Sequence, residues 1–326
     1  MYCGRPAKQV GGAKFVTTIR EILVDSERRL HRAGIESAAV DSAELLAHVL
    51  GVSRNRLLLH DRVDEEDRIS FERLMAKRLN RIPLQHLVGT APFRHIEVQV
   101  GPGVFIPRPE SELVAEAAIR HLRTCERPRA FDLCSGSGAI ALSLAIEVPG
   151  AQVSAVELSP EALVWLRENV RTLSAAHSTA TPVEIIAADA TDVSILEFRL
   201  AAGTCDVVTC NPPYIPDGSI PRDPEVRDHE PAIALYGGVD GLDVVRGIVI
   251  TAAMLLKSGG LMVIEHADVQ GPLSPGGGVV EAVRQARVPA GLDEFIAGVA
   301  GTQLFTDIED RQDYNQLPRF TLARRV

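Results

Sequence analysis

Apolar residues recur at helical spacing through the first quarter of the chain. Ile19, Ile22, Leu23 and Leu30 mark one stretch, an alanine-rich run over residues 41–50 stops at Gly51, and Phe71, Leu74, Met75 and Leu79 line one face of a third. With a shorter helix after Ser53, this predicts a small bundle of about four helices over residues 17–81. The pattern then changes. Ile96, Val98 and Val100 alternate and lead into Gly101-Pro102-Gly103, and alternation followed by that turn predicts a β-hairpin. A helix through Ile119 follows Pro107-Arg108-Pro109, with Glu110 and Glu112 in its first turn, where negative charge is favourable. From Arg129 onwards short apolar runs alternate with helical stretches. Strands are predicted at 131–134, 153–157, 183–187, 206–211 and 260–265, with helices between them and at 242–256 and 279–286, so the larger part of the chain is α/β. Closing strands are expected at 304–306 and 320–323, with Asp310, Arg311 and Asp313 in a turn between them. Residues 1–16 show no periodicity and are expected to form a disordered extension, and 271–278 is Gly/Pro-rich.

Candidate chemistry gathers where the strands end. The fourth strand runs into Asn211-Pro212-Pro213-Tyr214 and must stop there, because proline cannot donate to a sheet ladder. Each proline also pushes the residue before it out of the helical region, so Asn211 and Pro212 are held extended. The Asn211 side-chain oxygen and the Pro212 carbonyl are then two fixed acceptors that can take both hydrogens of an NH2 group, with Tyr214 as a flat wall. A proline-stiffened loop without chemistry would read the same way in isolation, so the upstream context matters. The first strand enters Cys134-Ser135-Gly136-Ser137-Gly138, a glycine-rich turn that lets a ligand approach the backbone at a helix N-terminus. The second ends in Glu157, an acid placed as a ribose-hydroxyl binder requires. The third ends at Asp189-Ala190. Ala141 stands where a dinucleotide fingerprint has its third glycine, which leaves a nicotinamide reading some room. Asn-Pro-Pro-Tyr has no role in hydride transfer, and it fits delivery of an amino group to a methyl donor, S-adenosylmethionine.

Composition and charge narrow the field. The 326 residues are 46% hydrophobic, enough for a full-sized core and a second domain, and the longest apolar run, 248–256, is too short to cross a bilayer. A cytoplasmic protein is the expectation. The five cysteines form no Cys-x-x-Cys pair, so neither a disulfide framework nor a metal site is predicted. Of the net charge of −9, residues 1–108 contribute 17 basic against 13 acidic side chains, leaving the larger domain strongly negative. That argues against broad binding of nucleic acid, whose affinity rests on phosphate contacts by Lys and Arg.

Several motifs together carry a resemblance. Arg81-Ile82-Pro83, Gly89, Phe93, the segment Ile106-Pro107-Arg108-Pro109-Glu110-Ser111-Glu112, the 132–138 turn and Asn211-Pro212-Pro213-Tyr214 resemble the glutamine-N5 methyltransferases that modify peptide chain release factors. The resemblance covers roughly residues 17–326 and implies a class I, Rossmann-like methyltransferase domain. Its seven-stranded, mostly parallel sheet would have an antiparallel last strand. The implied organisation is an N-terminal helical substrate-recognition domain over 17–85, a β-hairpin linker over 86–108 and the S-adenosylmethionine-dependent domain over 109–326.

The implied substrate is the glutamine of the Gly-Gly-Gln loop in class 1 release factors, and the implied product is S-adenosylhomocysteine, with no metal and a monomeric enzyme. By position, Cys134, Ser135, Gly136, Ser137, Gly138 and Glu157 would hold the methionine and ribose parts of the donor. Asp189 and Ala190 would lie near its adenine, Asn211, Pro212, Pro213 and Tyr214 would hold the target amide, and Phe105 would flank it. Cys134-Ser135 stands where Gly-Thr is usual, Glu157 where Asp is common and Ala190 where some members place an aromatic, departures that bear on donor affinity. Three alternatives stay open: an amino-methyltransferase acting on adenine in DNA or RNA, one acting on a ribosomal protein glutamine, and a catalytically silent donor-binding assembly factor.

Overall fold

Thr18 opens the first helix with a reciprocal cap. Its hydroxyl accepts from Glu21 N at 3.2 Å, and the Glu21 carboxylate accepts from Thr18 N at 2.9 Å. The computed structural model describes residues 18–177, 180–288, 292 and 303–326, divided into one unit ending at Val88 and a second over Gly89–Val326. The expected extension over 1–16 and most of the stretch 289–302 lie outside the described residues.

The first unit contains α1 (Ile19–Arg32), α2 (Ala38–Leu50), a 3-10 turn (Arg54–Leu59), α3 (Glu65–Leu79) and α4 (Leu84–Val88). Gly51 ends α2 in the left-handed conformation, and the Asp64 side chain caps α3 by accepting from Asp67 N. Leu30, Leu45, Leu46, Phe71 and Met75 form the core of this unit. Within it, Arg78 and Asp41 make a buried ion pair at 2.6 Å between α3 and α2.

The second unit opens with the hairpin β1 (Thr90–Phe93) and β2 (Ile96–Gln99). Its reversal is at Arg94-His95, ahead of the alternating run, rather than at the Gly-Pro-Gly that follows it. Arg94 adopts φ 51, supported by Glu112, which accepts from Arg94 N, and by ion pairs of its guanidinium with Glu116 and Glu147. Then come α5 (Ser111–Leu122), β3 (Arg129–Leu133), α6 (Ala139–Glu147), β4 (Gln152–Glu157), α7 (Pro160–Ala176), β5 (Glu184–Ala187), α8 (Leu196–Leu200) and β6 (Cys205–Cys210). After them follow α9 (Pro224–His229), α10 (Asp243–Leu255), β7 (Leu256–Glu265), α11 (Gly278–Gln285), β8 (Phe305–Gln312) and β9 (Pro318–Arg325).

The large sheet has seven strands in the order β5-β4-β3-β6-β7-β9-β8, parallel except for β9, which runs antiparallel to both neighbours. Asp310 and Arg311 belong to β8 rather than to a turn; only Asp313 is in the turn, accepting from Asn315 N and Leu317 N. As the edge strand, β8 pairs with β9 alone, so its residues are mostly polar and read locally as a loop. Alternate strand residues supply two cores. Ala130, Val153, Val207 and Val263 pack with α5, α6 and α7, whereas Phe131, Val156, Val208 and Ile264 pack with α8, α10 and α11. Because the chain winds from β3 to β4 and β5 on one side and returns through β6 on the other, a crevice opens at the carboxyl ends of β3 and β6.

Candidate active site

The β3–α6 turn owes its shape to three left-handed residues, Cys134 (φ 58), Gly136 (φ 56) and Gly138 (φ 85). Gly138 is the crowded one, since a Cβ there would sit 2.5 Å from the Leu166 side chain. Ser135 N donates to the Val156 carbonyl at 2.9 Å and Gly136 N to a Glu157 oxygen at 2.7 Å, which ties the turn to the end of β4. The other Glu157 oxygen accepts from Leu158 N and Ser159 N at 2.9 and 2.8 Å. Three backbone donors therefore fix this carboxylate, and its remaining lone pairs can accept from further hydroxyl groups. Beneath the turn, buried Asp132 accepts from Ala141 N and the Thr209 hydroxyl, and burial pushes its carboxyl up to about 7. The buried Asn169 side chain donates to the Ser137 and Gln99 carbonyls, joining the turn to the hairpin.

Across the crevice, β6 ends at Cys210 and Asn211 follows. The Asn211 amide donates from Nδ2 to the Ser111 hydroxyl at 3.1 Å, so Ser111 sets the plane of that side chain. Gln270 donates to the Tyr214 carbonyl at 2.9 Å, and Ile215 exchanges hydrogen bonds with Leu235 and Gly237, fastening the segment after Tyr214 to the later loop. Burial raises the Tyr214 hydroxyl well above the usual phenol range. The Arg108 guanidinium lies 4.8 Å from the centre of the Phe105 ring and pairs with Glu230 at 2.5 Å. Glu230 is buried, which raises its carboxyl against the opposing pull of Arg108.

These elements enclose a cavity of about 410 Å3, within the range of small-molecule sites. Eleven of the thirteen residues singled out from the sequence line it: Phe105, the run Cys134, Ser135, Gly136 and Ser137, then Glu157, Asp189, Ala190, Asn211, Pro213 and Tyr214. Gly138 and Pro212 do not. Gly138 packs instead against Leu166 and Leu142, and Pro212 is buried, with no hydrogen bond to its carbonyl from the described residues. Asp189 turns its carboxylate onto Thr191, and the Thr251 hydroxyl holds the Ala190 carbonyl.

Ser111, Asn169, Glu230 and Gln270 escaped the sequence reading. Ser111 carried a signal, its place between Glu110 and Glu112 in a quoted motif. The others act across 32 to 122 positions of chain, and no local pattern points to them.

Glu157 lines the cavity with carboxylate lone pairs, Gly136 lines it with nothing within 4 Å of where a Cβ would stand, and Ala188 and Ala190 add small apolar side chains. Among the described residues, no group of three or more His, Cys, Asp or Glu is placed to hold a metal, and no helix is long and apolar enough to cross a membrane.

Comparison with known proteins bears directly on this site. A family model described as the PrmC N-terminal domain matches residues 21–89, and one described as the methyltransferase small domain matches 95–221. A release factor glutamine methyltransferase of Mycolicibacterium smegmatis is 41% identical over 95% of this chain and 99% of its own length. Proteins of the same name from Streptomyces coelicolor and Mycobacterium tuberculosis are 40% and 35% identical, over 93% and 94% of this chain and 97% and 92% of theirs.

Proposed function

Because this chain belongs to the family of release factor glutamine methyltransferases, matching its members over nearly its full length, we propose that it methylates the glutamine side-chain nitrogen in the Gly-Gly-Gln loop of class 1 peptide chain release factors. The methyl group comes from S-adenosylmethionine, leaving S-adenosylhomocysteine. The enzyme works as a monomer in the cytoplasm, and the helical unit recognises the release factor. The observation that carries this reading is one continuous cavity lined both by Glu157 and the 134–137 turn and by Asn211, Pro213 and Tyr214.

When bound, S-adenosylmethionine supplies an electrophilic methyl on a sulfonium. Cys134, Ser135, Gly136 and Ser137 would hold its methionine part, with Gly138 shaping the turn behind them, Glu157 would accept from the ribose hydroxyls, and Asp189 and Ala190 would flank the adenine. A carboxamide nitrogen is a poor nucleophile because its lone pair is delocalised into the carbonyl. Asn211 Oδ1 on the cavity wall accepts one N–H bond, and the adjoining Pro212 carbonyl, off the cavity lining but without a hydrogen bond from the described residues, is the proposed acceptor of the second; together they orient the nitrogen and stabilise the positive charge that grows on it. Pro213, Tyr214 and Phe105 wall the amide. The methylated nitrogen then loses its proton to solvent, so no strong base is required.

The test is to incubate the protein with methyl-labelled donor, a purified class 1 release factor, a ribosomal protein mixture and duplex DNA, and to locate the label. Label on the release-factor glutamine is expected; label on nucleic acid or on ribosomal protein alone overturns the assignment.

A further inference from the structure

Asn211 can serve an NH2 group only if its oxygen, not its own NH2, faces that group. Rotated by half a turn, the same side chain would set donor against donor. Among the described residues Asn211 makes one side-chain hydrogen bond, from Nδ2 to Ser111 Oγ at 3.1 Å. Ser111 stands at the start of α5, 3% exposed and 100 positions away in sequence. A hydroxyl accepts in this way most favourably when its own proton is directed elsewhere. The Ser111 hydroxyl neighbours the carboxylate of Glu265, the last residue of β7, and favours its ionised form. Glu265 is 1% exposed, and its Oε2 is buried without a hydrogen-bond partner among the described residues. A carboxylate kept in that state needs a reason beyond packing, since an apolar residue would avoid the desolvation cost.

We propose that Glu265 and Ser111 are positioning residues that lock the Asn211 amide with its oxygen towards the acceptor nitrogen. Glu265 draws the Ser111 proton, the Ser111 oxygen takes an Asn211 N–H, and Asn211 Oδ1 is left pointing into the cavity. Neither residue touches the reacting atoms. With a protonated Glu265 the order can reverse, because the carboxyl then donates to Ser111 and Ser111 is free to donate to Asn211. The groups facing Glu265 are Arg319 of β9, Glu110 at the start of α5, the adjacent His266 and, across the site, Tyr214. Arg319 favours the ionised form and Glu110 opposes it.

The inference rests on the proposed methyl transfer for its catalytic consequence, but the lock can be read separately. The chain has five asparagines, so selective 15N-asparagine labelling gives a small set of side-chain amide signals. The Asn211 signal, assigned with Asn211→Asp, should exchange with solvent at least roughly tenfold faster in Ser111→Ala and return to the wild-type rate in Ser111→Thr. Unchanged exchange in Ser111→Ala overturns the lock whatever the enzyme methylates. On the release factor, Ser111→Ala should lose roughly tenfold or more in kcat while donor Kd stays within about twofold, and Ser111→Thr should recover most of it. Glu265→Gln, which keeps an acceptor oxygen but cannot ionise, should remove the fall in kcat on acidification. Wild-type turnover in Ser111→Ala, or an acid limb that survives in Glu265→Gln, overturns the catalytic role. Absence of methyl transfer by the wild type would sink the proposed function while leaving the exchange experiment to judge the lock.

Discussion

Two glycines two positions apart in the same turn should respond very differently to one methyl group. Gly138 and Gly136 both have positive φ, so alanine at either costs about 1–2 kcal/mol of backbone strain, partly offset by about 0.4–1 kcal/mol from a less flexible unfolded chain. At Gly136 nothing lies within 4 Å of the added Cβ. At Gly138 the Cβ would stand 2.5 Å from Leu166 Cδ1 and 3.3 Å from Leu142 Cδ1, both fully buried, which adds about 1–3 kcal/mol of overpacking. Net costs of about 1 kcal/mol for Gly136→Ala and about 3 kcal/mol for Gly138→Ala follow. For a unit of this size these correspond to Tm decreases of roughly 2–4 °C and 6–12 °C.

The chain's one tryptophan, Trp165, lies in the same unit and next to Leu166, so its fluorescence follows the relevant transition. Donor affinity should show the opposite order, because Gly136 lines the cavity and Gly138 does not. Equal Tm shifts for the two variants, or a larger one for Gly136→Ala, would refute this reasoning.

Cys134 also sits at positive φ, so Cys134→Gly should be more stable than Cys134→Ala by about 1 kcal/mol in denaturant melts, although both remove the thiol. Asp132 and Glu265 are each raised by burial to about 7 from 3.8 and 4.5. Their protonated folded forms contribute stability that is fully present below the unfolded values and lost as pH rises through about 7. Tm should therefore rise as pH is lowered from 8 towards 5, and Glu265→Gln should flatten that slope. Replacing Arg108 by Met leaves the Glu230 carboxylate buried without its cation, at a cost of about 2 kcal/mol at pH 8. This is below the figure for a fully buried pair because the Arg108 side chain is 30% exposed. Adding Glu230→Gln should recover most of the loss in urea melts.

What was legible in the sequence was what local chemistry dictates. Prolines ended β6 within one residue of the expected position, at Cys210, and the glycine turn followed β3. The alternation of apolar runs with helical spacing marked β3 to β7 as an α/β unit, whereas the seven-stranded sheet with its antiparallel last strand was what the family resemblance implied. Features that depend on distant partners were not legible. The hairpin reverses at Arg94 because three acids from α5 and α6 converge on it, and nothing in Arg94-His95 itself signals a turn. Asp310 and Arg311 look like loop residues because an edge strand needs little apolar surface. In the site, the residues lining the cavity were readable from strand ends, whereas the supports behind them, Ser111, Asn169 and Gln270, were not, since each acts through a contact formed only after folding.

Asn211 is the residue on which the proposed chemistry depends. Orientation of this kind can account for about 7–11 kcal/mol of barrier reduction, and loss of one oriented polar group costs roughly 100-fold or more. The most direct measurement is the single-turnover rate of methyl transfer to a release-factor glutamine by wild type and Asn211→Ala, with donor Kd measured alongside. A fall of at least roughly 100-fold in rate with donor Kd little changed is the predicted result. A near-normal rate in Asn211→Ala, or a loss explained wholly by weaker donor binding, would contradict it.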